Sequence, residues 1–443
     1  MRTQDSDVWF MCFNGNLEET LSEWLVIMPL PFISLRRITI AKIGIVVLFI
    51  AICAGFSYKN NVCKTWSDYT IKHVSDSCKY NPDVNANMIS IVQRYNYKIQ
   101  THYVLTEDDY ILTVFRIANS SSSFNSNRQP IFLQHGTICS SEIWLQRGED
   151  SIGFHLANAG FDVWLGNTRG NYNSPGHKFY TTQDSKFWDH SFDELVLDIP
   201  AVVSYIGNKT GRTGDLLYVG HSIGSTQVLA YASERPDQAK KNLKAMILFA
   251  PAVYLDKQGF LVNLVRFLLN IPLPFDSVDV RSPLIAMICS FTVININLCR
   301  YIFDLNFGNE NNLYDPALFP IMLASLPDRE SLKPFVQYIQ FADTAEFKKF
   351  DYGSKGNLKK YGTEKPPKYD LGKISVPVYT FIGTSDDLTP FSNAETFHKE
   401  LTVYNEIYAL QNYSHMAYFL DANAKEVLYK PFFNLLEKLG TKK

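Results

Sequence analysis

The sequence has no excess of either charge: 42 lysines and arginines stand against 44 aspartates and glutamates, for a formal net charge of -2. No broad basic surface for nucleic acid is therefore expected. Long runs of one charge are absent. Charged residues make up 19% and hydrophobic residues 46%, which excludes a disordered polyelectrolyte. Internal repeats are absent too, so solenoids and propellers are excluded. Low complexity is confined to Ser120–Ser123 with Asn125–Asn127, a loop composition. Also missing is an uninterrupted apolar stretch of the roughly 20 residues that a spanning helix needs. The nearest approach is Ile43–Phe56, and extending it back through Ile38–Ile40 brings in Lys42.

That run still carries information. Arg36, Arg37 and Lys42 precede it and small residues follow, the pattern of a secretory-pathway leader. With a start at Met1 the run, taken as 38–56, acts as an uncleaved anchor. With a start at Met28 it becomes a conventional leader cut near Cys53–Gly55. The catalytic part then lies in the lumen, secreted or lysosomal in the cleaved case and membrane-anchored in the other. Cysteine usage agrees with export. Cys12 and Cys53 fall within or before the leader, and Cys63, Cys78, Cys139, Cys289 and Cys299 follow it. Cys289 and Cys299 are close enough to close a short loop. Five is odd, and Cys139 is the expected free thiol. Sequons stand at Asn119, Asn208 and Asn412. The first two sit in polar stretches that read as loops and suit glycans. Asn412 lies too close to a candidate catalytic residue.

A chain of 443 residues suits one large domain with an insertion, or two domains. From about residue 100, short apolar runs alternate with helical stretches. His102–Thr106 and Ile111–Ile117 read as a hairpin around Glu107–Asp109. Pro130–Gln134, Phe161–Leu165, Leu216–Val219, Ala245–Ala250, Val376–Ile382 and Glu406–Leu410 read as six further strands. Helical spacing covers Ser191–Ile206, Ser225–Ser233 and Lys425–Lys438. This rhythm predicts an α/β fold, an eight-stranded, mostly parallel sheet with helices on both faces. It stops between about Leu255 and Pro366. There an amphipathic run over Phe260–Leu269, the Cys289/Cys299 pair and a Phe- and Tyr-rich stretch predict a helical cap over the sheet's C-terminal edge, where ligands of open α/β sheets bind. The expected division is a tail over 1–57, a core of 58–254 with 366–443, and a cap over 255–365.

The chemistry centres on Gly220–His221–Ser222–Ile223–Gly224. Alone, G-x-S-x-G arises by chance in roughly one chain of this size in ten. Here it follows an apolar strand and opens a helix, the setting of a nucleophile elbow. Gly220 and Gly224 keep a strained turn free of clashes. A serine hydroxyl needs a base. Of the nine histidines, His398 and His415 follow a suitable acid. His398 reads as the solvent-facing residue of a polar helix face, whereas His415 lies in a loop after the last strand. The acid falls at the end of the preceding strand, Asp386 rather than Asp387, although spacing barely separates them. Backbone N–H groups of Thr137 and Ile223 are the candidate donors to a developing oxyanion. No metal or cofactor is called for.

Several segments together resemble the acid lipases, the family of gastric and lysosomal acid lipases. They are Asn87–Ile89, Leu105–Leu112, Gln134–Gly136, Asn167–Asn171, Phe187–Glu194, the elbow, Phe350–Gly353, Pro366–Tyr369 and Gly383–Pro390. The resemblance spans about Asn85 to the C-terminus. It implies the α/β-hydrolase fold with a helical cap, hydrolysis of neutral-lipid esters without a cofactor, Asp386 as acid, His415 as base, and a cap disulfide at Cys289/Cys299. Ile223 stands where Gln is frequent, Thr137 where Leu is usual, Ser414 where Asn precedes the histidine, and Asp387 where an apolar residue follows the acid. Backbone donors tolerate the first two changes, and together the four bear on substrate preference. The expected partners are a lipid ester and the lipid droplet or membrane surface that holds it. The rival readings are a membrane-anchored carboxylesterase or steryl-ester hydrolase and, from another class, a catalytically silent lipid-binding protein.

Overall fold

Eight apolar runs assemble into one twisted sheet. The strands are β1 (Tyr97–Leu105), β2 (Tyr110–Asn119), β3 (Pro130–Gln134), β4 (Asp162–Leu165), β5 (Leu216–His221), β6 (Leu243–Phe249), β7 (Val378–Gly383) and β8 (Asn405–Leu410). Their spatial order is β8-β7-β6-β5-β3-β4-β2-β1. Strands β3 to β8 run parallel. The β1–β2 hairpin closes one edge, with β2 antiparallel to both β1 and β4. A two-residue strand, Gly176–His177, pairs with β2 and makes the sheet nine-stranded, one more than expected. The computed structural model describes residues 60–440, apart from 73, 126, 309–312 and all of 256–292 except 263, 266, 276–278 and 289. The leader with its basic flank and the apolar positions of Phe260–Leu269 lie outside the described residues.

The central strands are buried along their whole length, because helices cover both faces. Side-chain alternation splits the interior into two cores. Leu217, Val219 and Ile247 enter one, with Phe154 and the C-terminal Phe432, Leu435 and Leu436. Leu216, Tyr218 and Leu248 enter the other, with Val202, Val203 and Val228. Helix α1 (Ile152–Asn158) belongs to the first core. Helices α2 (Asp198–Thr210) and α3 (Ile223–Glu234) belong to the second.

The expected single helix over Ser191–Ile206 is two. A short helix, Phe192–Leu195, is capped reciprocally by Ser191 and Glu194. The chain restarts as α2, which puts Pro200 in a first turn where its missing N–H costs nothing. α2 runs on to Thr210, so Asn208 sits exposed in its last turn rather than in a loop. Asn119 closes β2, and its amide donates to Asn158 Oδ1 at 2.7 Å.

Between β6 and β7 no strand joins the sheet among the described residues. Helices α4 (Val293–Phe307), Phe319–Ser325, α5 (Leu332–Thr344) and Gly353–Tyr361 occupy the interval. Cys289 and Cys299 are bonded, and Cys139 is free and buried. A second disulfide, Cys63–Cys78, joins the paired strands Val62–Cys63 and Cys78–Lys79. Sequence spacing had not singled it out. No described helix is long and apolar enough to cross a membrane.

Candidate active site

β5 ends at His221, and Ser222 turns the chain into α3 with φ 55° and ψ -119°. A non-glycine residue reaches this region only where its surroundings force it. The two flanking glycines allow it. A Cβ on Gly220 would lie 2.5 Å from the Ser225 nitrogen, and one on Gly224 would lie 2.5 Å from the Gln134 carbonyl oxygen. Ser222 N–H donates to Phe249 C=O at 2.8 Å, which ties the elbow to β6. The helix N-terminus beyond adds a favourable partial charge for an anion.

His415 comes from the loop after β8, 193 positions along the chain, and its Nε2 lies 3.0 Å from Ser222 Oγ. Its Nδ1 lies 2.9 Å from Asp386 Oδ2. The acid is itself held. Leu388 N–H and Thr389 N–H donate to Asp386 Oδ1, and the Thr389 hydroxyl donates to Oδ2 at 2.7 Å. Ser222, His415 and Asp386 are all buried. Asp387, the alternative acid, is exposed. His398 is not the solvent-facing residue expected. It is buried between Asn405 Oδ1 at 2.8 Å and Thr380 Oγ1 at 2.9 Å, because its helix packs on β7 and β8.

The imidazole is also fixed through its backbone. His415 N–H donates to Phe307 C=O at 3.0 Å, and the Phe307 ring stacks beside it. His415 C=O lies 3.0 Å from His221 Nε2, which donates there as a neutral ring, since burial drives its pKa well below the usual histidine range. Neither contact was legible from sequence, because each depends on tertiary placement.

On the other side of Ser222 lies the Gly136–Cys139 loop. A Cβ on Gly136 would sit 3.1 Å from both Ser222 Cβ and His221 Nδ1, a tight contact that glycine avoids. Thr137 N–H and Ile223 N–H have no acceptor among the described residues. Ile138 holds φ 50°, a strained value for a β-branched residue. Two clamps maintain it. Ile138 N–H donates to Glu330 Oε2 at 2.7 Å, and Asp328 N–H donates to Ile138 C=O. Behind them, His135 Nε2 accepts Thr168 N–H, which leaves Nδ1–H to donate to Gly136 C=O at 2.7 Å. Burial lowers the His135 pKa to about 4 and keeps the ring neutral.

Ser222, His415, Thr137 and Ile223 border a cavity of about 170 Å³. Leu255, Leu326, Phe335, Ile339, Leu388 and Met416 supply its apolar wall. A buried nucleophile, base and acid in hydrogen-bonded series beside an apolar chamber suit acyl transfer from a hydrophobic ester.

Comparison with known proteins agrees. The family profile for the alpha/beta hydrolase fold matches residues 129–422, and that for the partial alpha/beta-hydrolase lipase region matches 88–148. Gastric triacylglycerol lipase of Rattus norvegicus is 32% identical over 351 residues, covering 74% of this chain and 88% of its own length. The chain belongs to the acid lipase family. Lipase 1 of Drosophila melanogaster is 30% identical over 368 residues, covering 81% of each chain. A solved structure from Sulfolobus solfataricus, assigned as a lipase, superposes with a TM-score of 0.50 at 16% identity. It covers 77% of this chain and 95% of its own, and it speaks for the fold alone. This acid lipase is a serine ester hydrolase on an α/β-hydrolase core.

Proposed function

We propose that the lipase hydrolyses carboxylic esters of neutral lipids, triacylglycerols or cholesteryl esters, through an acyl-enzyme on Ser222. The observation that carries this reading is the unbroken series Ser222 Oγ–His415 Nε2 and His415 Nδ1–Asp386 Oδ2, at 3.0 and 2.9 Å, on the wall of an apolar cavity. His415 takes the serine proton as Oγ attacks the ester carbonyl. Asp386 keeps Nδ1 protonated and stabilises the imidazolium. Thr137 N–H and Ile223 N–H receive the oxyanion. His415 then protonates the leaving alcohol and activates the water that releases the acid.

Residues 255–365 act as the cap of a core made from 58–254 and 366–443. The apolar residues that α5 and its neighbours contribute to the cavity wall support this division. Two disulfides support export through an oxidising compartment. Exposed Asn208 suits a glycan better than half-buried Asn119.

The test is hydrolysis by the purified full chain of emulsified triolein, cholesteryl oleate and soluble short-chain esters, with Ser222→Ala in parallel. Activity on emulsions that vanishes in the variant supports the reading. Activity on soluble esters alone would replace it with a carboxylesterase. No ester turnover by folded protein would leave a lipid-binding protein.

A further inference from the structure

Thr137 borders the cavity beside Ser222 and Ile223. Its hydroxyl oxygen is buried and has no hydrogen-bond partner among the described residues. Buried hydroxyls are nearly always paired, so an orphan beside a nucleophile points to a partner that arrives with the substrate. A threonine hydroxyl rotates to donate wherever an acceptor forms.

We propose that the Thr137 side-chain hydroxyl is a third donor to the oxyanion, beside the N–H groups of Thr137 and Ile223. The inference rests on the acyl-enzyme reading above. In the step concerned, Ser222 Oγ bonds to the carbonyl carbon and its proton passes to His415 Nε2. The carbonyl π pair moves onto oxygen. A neutral carbonyl binds a hydroxyl weakly, while the oxyanion accepts a short, charge-assisted bond. The hydroxyl therefore favours the transition state over bound substrate.

Placement supports this. Thr137, Ser222 and Ile223 border one cavity, and Gly136 packs directly on Ser222. The loop is preorganised on both sides of Thr137, by His135 on the Gly136 carbonyl and by Glu330 and Asp328 on Ile138. A β-branched side chain adds little rotamer freedom of its own.

The experiment compares full-length wild type, Thr137→Val, Thr137→Ser, Thr137→Ala and Ser222→Ala on a soluble p-nitrophenyl ester. It adds inhibition by an alkylboronic acid, which forms a tetrahedral adduct on the serine. Thr137→Val should lower kcat by about 10- to 100-fold at nearly constant KM. The boronic acid should weaken in step with kcat/KM, and Thr137→Ser should recover most of the loss. Should the valine variant fail to fold, the alanine variant with melting curves carries the same comparison. A valine or alanine variant with wild-type kcat/KM, or a serine variant as slow as valine, overturns the hydroxyl's role. If Ser222→Ala is inactive in that case, the acyl-enzyme reading survives. Wild-type activity in Ser222→Ala overturns both.

Discussion

The Glu330 side-chain carboxyl accepts the backbone N–H of Ile138 at 2.7 Å, across 192 positions of sequence. It joins the interval between β6 and β7 to the loop that follows β3. Ile138 would not hold φ 50° unaided. Removing the acceptor in Glu330→Ala leaves the half-buried Ile138 N–H without this partner and lets the loop relax away from Ser222. A shift of about 1 Å in a catalytic donor costs up to about 100-fold in rate. We expect kcat on a soluble ester to fall by about 10- to 100-fold, with Glu330→Gln less affected because its amide oxygen still accepts. Steady-state kinetics of the two variants checks this. An unchanged kcat in Glu330→Ala would remove the clamp from the mechanism.

The same residue gives a pH signature. Burial pushes the Glu330 carboxyl from about 4.5 to about 8, opposed by the Ile138 N–H and reinforced by Asp328. A folded-state pKa above the unfolded one means that the folded protein binds the extra proton. Its contribution to stability is fully present below about 4.5 and is lost as pH rises through about 8. Glu330→Gln lacks this dependence. Melting temperatures at pH 5 and pH 9 should show wild type losing ground to the glutamine variant at the higher pH. Parallel curves would contradict the assignment.

Sequence conveyed the sheet and the elbow because both are local. Leu216–Val219 is a continuous apolar run, and G-x-S-x-G follows it directly. It could not separate Asp386 from Asp387 by spacing, since adjacent residues at a strand end differ only in which one the fold turns inward. His398 misled because its polar neighbours hide the packing of its helix on β7 and β8. Glu330 and Asp328 gave no signal. Nothing near them in the chain announces the loop they clamp. Pro200 was the readable hint that Ser191–Ile206 would break.

The Cys63–Cys78 disulfide closes a loop with a separation of 15 residues. Its segment packs on the interval between β6 and β7: Tyr69 OH donates to Pro316 C=O at 2.8 Å, and the Trp66 ring meets Phe319 edge-on. Loop-closure entropy for such a span is about 3 kcal/mol. The double variant Cys63→Ser with Cys78→Ser should lose about that much stability in chemical denaturation. None of these residues borders the catalytic cavity, so kcat on a soluble ester should stay at the wild-type level. A fall in kcat without a fall in stability would assign the loop a role in catalysis instead.

Asp386 and Asp387 offer the sharpest single comparison. Asp386 Oδ2 faces His415 Nδ1 and Thr389 Oγ1, and its Oδ1 takes two backbone N–H groups. An amide there retains the volume but loses the charge that favours imidazolium. It also admits the tautomer in which Nδ1 accepts and Nε2 carries the proton, so that Nε2 cannot take one from Ser222. The corresponding change in serine proteases costs about 10⁴-fold in kcat. Asp386→Asn should therefore fold normally and lose activity on that scale. Asp387 is exposed, and Asp387→Asn should keep kcat within about threefold of wild type, as surface substitutions usually do. Measured side by side on one soluble ester, the reverse ranking would move the acid to Asp387.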